Sequence, residues 1–271
     1  MDLSLYQTPT GQRWAADGFF LPVELTLSQM LAQPAKELAR FIHMQATGEP
    51  AEGPLLAPIE PAQEVWASGV TYLRSRQARE AESITGDIYQ RVYEAERPEL
   101  FYKAAGWRVV GPGAPIHVRA DSRWNVPEPE LTLLLNAHGE ICGFCAGNDV
   151  SSRDIEGENP LYLPQAKVYN GSCALGPYLR LTLSLAELYD LDIKLAILRD
   201  GQTLFQGATG TTAMKRAFPE LASYLFRELN FPAGAFLMTG TGIVPPDTFS
   251  LQPGDLVQVI VDDLLLENPT V

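Results

Sequence analysis

Three acidic residues carry the strongest chemical signal in this chain. Glu128 and Glu130 flank Pro129, and Asp149 follows within Gly147-Asn148-Asp149-Val150-Ser151-Ser152-Arg153-Asp154. The apolar runs 131–135 and 141–146 are joined by Asn136-Ala137-His138-Gly139-Glu140, a polar connection that predicts a hairpin. Side chains alternate along a strand, so Glu128 and Glu130 project from one face, and the return strand can carry Asp149 back beside them. Carboxylates brought that close repel one another unless a cation sits between them. Oxygen ligands without a His or Cys partner suit Mg²⁺, Mn²⁺ or Ca²⁺ better than Zn²⁺. A Glu-x-Glu standing alone would be ordinary decoration of an edge strand; its surroundings give it weight.

The elements that must hold this cluster can be read coarsely. Residues 1–24 alternate short apolar runs with turn residues (Thr10-Gly11, Asp17-Gly18), as small antiparallel strands do. Residues 27–46 have helical spacing, with Pro34 splitting or restarting the helix. The segment 47–54, Thr-Gly-Glu-Pro-Ala-Glu-Gly-Pro, reads as a linker. It predicts a small N-terminal α/β domain over 1–60 and a catalytic domain over 61–271. Residues 72–96 read as helix broken at Thr85-Gly86-Asp87. Beyond Phe101 come short strands punctuated by Gly and Pro, a hairpin turn at Asp200-Gly201 and a helix over about 219–229. The pattern is α+β, without regular βαβ alternation.

The 271 residues suffice for a substantial core, and 46% of them are hydrophobic, as in ordinary globular proteins. A formal charge of −13 argues against nucleic acid or an anionic membrane surface as partner. An anionic substrate must therefore be met by a local Arg, Lys or metal. The start of the chain lacks a basic, then apolar leader pattern, and no apolar run approaches the roughly 20 residues of a membrane span. Three Cys make a disulfide framework improbable and point to a cytoplasmic location. Cys142 and Cys145 form a CxxC inside an apolar strand, where Cys behaves as a small buried hydrophobe. The Gly clusters lack the strand-then-helix setting of a dinucleotide loop. His43, His117 and His138 have no carboxylate pattern that assigns them a role.

The order Glu-x-Glu, Asn-Asp-Val-Ser-Ser-Arg-Asp, then Lys167 ahead of Asn170-Gly171-Ser172-Cys173-Ala174-Leu175-Gly176-Pro177 resembles the fumarylacetoacetate hydrolase family. The likeness continues through Thr239-Gly240-Thr241-Gly242 and Leu251-Gln252-Pro253-Gly254-Asp255, covering about residues 64 to 268. It implies a β-rich fumarylacetoacetate-hydrolase-like catalytic fold, a homodimer or higher homo-oligomer, and Mg²⁺ held by Glu128, Glu130 and Asp149. A metal so held can chelate a 2-oxo acid, acidify its C3 hydrogens and stabilise an enolate. C–C hydrolysis, decarboxylation, isomerisation or loss of a β-hydroxyl are then open, according to the surrounding acid and base groups.

Hydrolases of the family carry Gly-Leu-Asn-Tyr-x-x-His, whose His activates water. The matching segment is Gly69-Val70-Thr71-Tyr72-Leu73-Arg74-Ser75, with Ser75 at the His position. Tyr-x-x-Ser-Arg, the run Arg97-Pro98-Glu99-Leu100-Phe101-Tyr102-Lys103, and Asn159-Pro160 through Lys167 resemble instead the branch of 2-keto-3-deoxy-D-arabinonate dehydratases. That resemblance implies Mg²⁺-dependent dehydration of a 2-keto-3-deoxy pentonate to 2,5-dioxopentanoate in pentose catabolism. It gives Glu99 and Lys167 the acid and base tasks in either order, with a desolvated Lys167 of lowered pKa as one possible base. Arg153 and Thr241 are candidates for a carboxylate; Tyr72, Ser75 and Arg76 are candidates for the substrate hydroxyls. Residues 72–96 are either a lid or a solvated helix. Two rival expectations are a metal-dependent hydrolase of an acylpyruvate or 2,4-diketo acid, and a catalytically silent metabolite-binding protein.

Overall fold

The structure is a computed structural model that describes residues 1–82 and 87–271. Strands β1 (Asp2–Thr8), β2 (Gly11–Ala16) and β3 (Phe19–Phe20) precede helices α1 (Leu27–Leu31) and α2 (Ala35–His43). Strand β4 (Glu64–Gly69) runs into α3 (Leu73–Glu82) and α4 (Asp87–Glu94), and β5 (Glu99–Ala105) follows. Next come β6 (Asn125–Val126), β7 (Pro129–Leu135), β8 (Ile141–Asp149), β9 (Ser151–Ser152), α5 (Arg153–Glu158) and α6 (Leu163–Lys167). The chain ends with β10 (Cys173–Leu181), α7 (Leu185–Leu188), β11 (Asp192–Arg199), β12 (Gln202–Gly210), α8 (Phe218–Leu225), β13 (Ala235–Met238), β14 (Leu256–Val261) and β15 (Leu264–Pro269).

A nine-stranded sheet in the order β3-β2-β1-β10-β8-β7-β13-β4-β5 forms the centre. Only β13 and β4 pair in parallel within it. A four-stranded sheet, β12-β11-β14-β15, covers one of its faces. Strand periodicity explains the layering. Leu131, Leu133 and Leu135 of β7 pack with Ile193, Leu195 and Ile197 of β11 and Val257, Val259 and Val261 of β14. Leu134 points to the other face, into a core shared with Leu27, Met30, Leu31, Leu38 and Ile42 of α1 and α2. All seven residues of β7 are buried, so its continuous apolar run is that of a strand covered on both sides.

The expected elements in the first 46 residues are present, with Pro34 immediately ahead of α2. Strand β1 pairs with β10, so the N-terminal strands extend the same hydrogen-bonded sheet as the later ones. The expected hairpin joins β7 to β8, and another turns at Asp200 and Gly201, which both have positive φ. The expected helix over about 219–229 is α8, which runs earlier, over Phe218–Leu225, with Phe226 as its C-cap. The break expected at Thr85-Gly86-Asp87 falls largely on 83–86, outside the described residues. No helix among the described residues is long and apolar enough to cross a membrane.

The sheet directs six chain segments to one end of its central strands. Pro129 lies opposite Asn148, Cys173 opposite Asp149, and Gly69 opposite Glu99. Met238 is registered with both Thr132 and Ala67, which places Thr239, Gly240 and Thr241 at that same end.

Candidate active site

Glu128, Glu130 and Asp149 meet at this end, each at most 4% exposed, with one carboxylate oxygen of each within 4.8 Å of the others. Glu128 stands just before β7; its carbonyl accepts the Asp149 N–H at 3.0 Å, and its own N–H donates to Asn148 Oδ1 at 3.2 Å. Glu130 accepts the Gly240 N–H at 2.6 Å. Gly240 has φ 91°, and a Cβ there would lie 2.1 Å from Thr71 Oγ1, so the loop after β13 reaches Glu130 only with glycine at this position. Burial, then the charges of Asp149 and Glu128, push the Glu130 carboxyl well above the usual carboxylate range. Three hard oxygen donors, crowded and buried, are the donor set a divalent cation such as Mg²⁺ requires.

Cations of the protein surround the triad. Lys167 Nζ donates to Glu128 Oε1 at 2.8 Å and to Asp149 Oδ2 at 2.9 Å. Lys103 Nζ lies 2.5 Å from Asp149 Oδ1. Arg79 Nη2 donates to Glu128 Oε1 at 3.0 Å, and its Nη1 lies 3.2 Å from Glu156 Oε2. Arg153 Nε is 3.6 Å from Glu128 Oε1. Burial raises the Asp149 carboxyl, but Lys103 and Lys167 outweigh it and hold the group below its ordinary value. Burial likewise acts against the Lys167 ammonium, yet Asp149, Glu128 and Glu156 move its pKa upward. This corrects the expectation of a lowered Lys167 pKa: the carboxylates around Nζ win over desolvation.

A small cavity opens over the triad. Seven of the ten residues singled out in the sequence line it: Glu128, Glu130, Asp149, Glu99, Lys167, Ser75 and Thr241. The other three do not. Arg153 lies buried against Glu128. Tyr72 is 1% exposed, its pKa raised by burial and by the Glu130 charge. Arg76 turns to Gln90 on α4, to Glu80 and to the Tyr93 ring. Thr241 Oγ1 is engaged within its own loop, exchanging 3.2 Å hydrogen bonds with the backbone of Ile243.

Three charged side chains around the triad are not anticipated by the sequence: Lys103, Arg79 and Glu156. Lys103 had a usable signal, since Glu99, Phe101 and Lys103 recur every second residue on one face of β5. Glu156 accepts from Ser151 Oγ at 2.9 Å; burial raises its carboxyl, but Arg79 and Lys167 prevail and keep it low.

Glu99 behaves differently. Burial, followed by the Glu156 and Glu128 charges and opposed by Arg79 and Lys167, pushes its pKa from 4.5 up to about 7. The folded state therefore holds a proton on Glu99 that the unfolded chain has already released. Stability contributed by that proton is full below about 4.5 and is lost as pH rises to about 7. Glu99→Gln mimics the protonated form, so it should be more stable than the parent at pH 8 by more than about 1 kcal/mol, with no gain at pH 4.5. Urea unfolding at both pH values checks this; an equal difference at the two pH values would refute it.

The family model described as fumarylacetoacetate (FAA) hydrolase, C-terminal, matches residues 64–269. The chain belongs to the fumarylacetoacetate hydrolase family. Within that class, its similarity to dehydratases is marked. The "Probable 2-keto-3-deoxyxylonate dehydratase" of Haloferax volcanii is 49% identical over 203 residues, which cover 75% of this chain and 70% of that one. The 2-dehydro-3-deoxy-D-arabinonate dehydratase of Saccharolobus solfataricus is 43% identical over 211 residues, 76% of this chain and 70% of that one. A solved structure of 2-keto-3-deoxy-D-arabinonate dehydratase complexed with magnesium and 2,5-dioxopentanoate matches over 100% of this chain and 98% of its own, with TM-score 0.84 and 35% identity.

Proposed function

We propose that this protein is a Mg²⁺-dependent hydro-lyase that converts a 2-keto-3-deoxy pentonate into 2,5-dioxopentanoate during pentose catabolism. The observation that carries the reading is the convergence of the buried triad with Glu99 and Lys167 on one cavity. The arabinonate and xylonate names of the relatives do not conflict. A ketone at C2 and a methylene at C3 leave C4 as the only stereocentre, so pentonates of the same series give one compound.

Glu128, Glu130 and Asp149 would hold the ion. When bound, Mg²⁺ supplies positive charge that neutralises the triad and polarises the 2-keto group. The protein's own groups account for the proton transfers. Glu99, with a pKa of about 7, is poised near neutral pH to take a C3 proton at its carboxylate. Lys167 stays an ammonium; two of its protons point at Glu128 and Asp149, leaving the third for the departing C4 hydroxyl. The C3–C4 double bond so formed shifts by tautomerisation, C5 becomes the aldehyde, and the net change is loss of one water.

Ser75 and Thr241 line the cavity and are proposed to bind substrate; Arg153, Tyr72 and Arg76 would act from positions beside it. Hydrolysis of an acylpyruvate is disfavoured because Ser75, where the hydrolases carry His, has no useful basicity near neutral pH. The charged groups turned into the cavity also argue against a silent binding protein. We further propose a unit boundary near residue 60, supported by the start of the family match at residue 64, a homo-oligomer, and residence in the cytoplasm. Residues 72–96 are proposed as a lid over the substrate, with a solvated helix as the alternative.

The deciding experiment is incubation with 2-keto-3-deoxy-D-arabinonate, with Mg²⁺ or with EDTA, and mass spectrometry of the products. Metal-dependent loss of one water to 2,5-dioxopentanoate is expected. Turnover that persists in EDTA would overturn the metal role, and cleavage of an acylpyruvate with no loss of water from the deoxy sugar acid would favour the hydrolase.

A further inference from the structure

Gly69 is the last residue of β4 and lies directly opposite Glu99 on the neighbouring antiparallel strand. A Cβ built on Gly69 would stand 2.1 Å from Glu99 Oε2, 2.6 Å from its Cδ and 3.1 Å from Oε1. These are the three nearest heavy atoms, and all belong to the one carboxyl group. The Glu99 side chain thus lies across the strand partner, in the space any other residue at 69 would fill. Both residues line the cavity, and the backbone on either side is fixed. Ser68 Oγ donates to the Glu99 carbonyl at 3.1 Å, and Thr71 Oγ1 donates to the Thr239 carbonyl at 2.6 Å. Val70, next in sequence, has φ 53°, an unfavourable conformation for a β-branched residue and one held by its surroundings.

We propose that Gly69 is a positioning residue: its missing side chain is the slot that seats the Glu99 carboxyl over the metal-ligand triad. This rests on the proton-transfer role given to Glu99 above. The atoms that would yield to a new Cβ are the far end of a flexible side chain, so the fold can absorb an alanine while the carboxyl cannot stay where it is. A reacting group displaced by about 1 Å loses on the order of 10²-fold in rate.

The test is Gly69→Ala, assayed with Mg²⁺ and 2-keto-3-deoxy-D-arabinonate beside Glu99→Gln. Expected for Gly69→Ala is a kcat reduced about 100-fold with KM little changed. Mg²⁺ affinity by calorimetry should stay at the parent value, and the midpoint of the kcat–pH profile should move. A kcat within twofold of the parent, while Glu99→Gln is inactive, would overturn the slot and leave the Glu99 role standing. An active Glu99→Gln would overturn the Glu99 role and the slot with it. If Gly69→Ala does not fold, the pair Gly69→Ala/Glu99→Ala decides. With the three obstructing atoms gone it should fold like Glu99→Ala alone, and its failure to do so would place the obstruction elsewhere and overturn the proposal.

Discussion

Lys167→Met should lose about 10³-fold in kcat while binding Mg²⁺ at least as tightly as the parent. The two effects have one geometric cause. Lys167 Nζ donates to Glu128 Oε1 and Asp149 Oδ2, on two of the three carboxylates that could hold a cation. Removing the ammonium takes away a competitor for those oxygens and leaves the carboxylates more in need of positive charge. It also removes the proposed proton donor, and methionine fills similar volume beside Phe101, whose ring centroid lies 5.7 Å from Nζ. Steady-state kinetics and calorimetric Mg²⁺ titration separate the two outcomes. A kcat near that of the parent would remove Lys167 from the chemistry. A variant that no longer binds Mg²⁺ would mean that Lys167 builds the triad and does not compete for it.

The parts of this site legible in the sequence are those set by strand periodicity. A hairpin with two apolar arms fixes which residues share an end of the sheet, and so the triad could be assembled from one-dimensional spacing. Glu99 and Lys167 are singled out by resemblance to a family, and the structure supplies the physical reason: β5 starts and α6 ends at the same cavity. What spacing could not give was the outcome of competing electrostatic effects. Burial alone would lower the Lys167 pKa; its actual direction depends on three carboxylates that the fold gathers around it. Arg76 illustrates a second limit. On a helix, one position separates a side chain that reaches the cavity, Ser75, from one that reaches α4. Arg79 and Glu156 illustrate a third, because they sit far apart in sequence and become a pair only when the fold brings them within 3.2 Å. The N-terminal strands were legible as strands, but their addition to the central sheet through β1 and β10 is a long-range pairing that no local pattern specifies.

Lys103→Met should cost about 3–5 kcal/mol of stability, the largest effect on folding expected at any position in the site. Lys103 is completely buried, and its ammonium has three donors for three acceptors: Asp149 Oδ1 at 2.5 Å, the Val150 carbonyl at 3.0 Å and the Lys167 carbonyl at 2.6 Å. It therefore joins a candidate metal-ligand carboxylate to the end of the helix that carries Lys167, so the candidate ligand and the proposed proton donor are held in register by one side chain. Methionine preserves the volume and removes every one of those bonds. Asp149 keeps Lys167 as a partner but loses the cation on its other oxygen, and two buried carbonyls lose their donor. Mg²⁺ can compensate the first of these defects and not the second. Urea unfolding in EDTA should show the full deficit, and saturating Mg²⁺ should recover part of it, beyond the stabilisation that the parent itself gains. A deficit below about 1 kcal/mol would show that the Lys103 contacts contribute little to folding. A deficit that Mg²⁺ leaves untouched would show that Lys103 supports the backbone alone and does not tune the charge on Asp149.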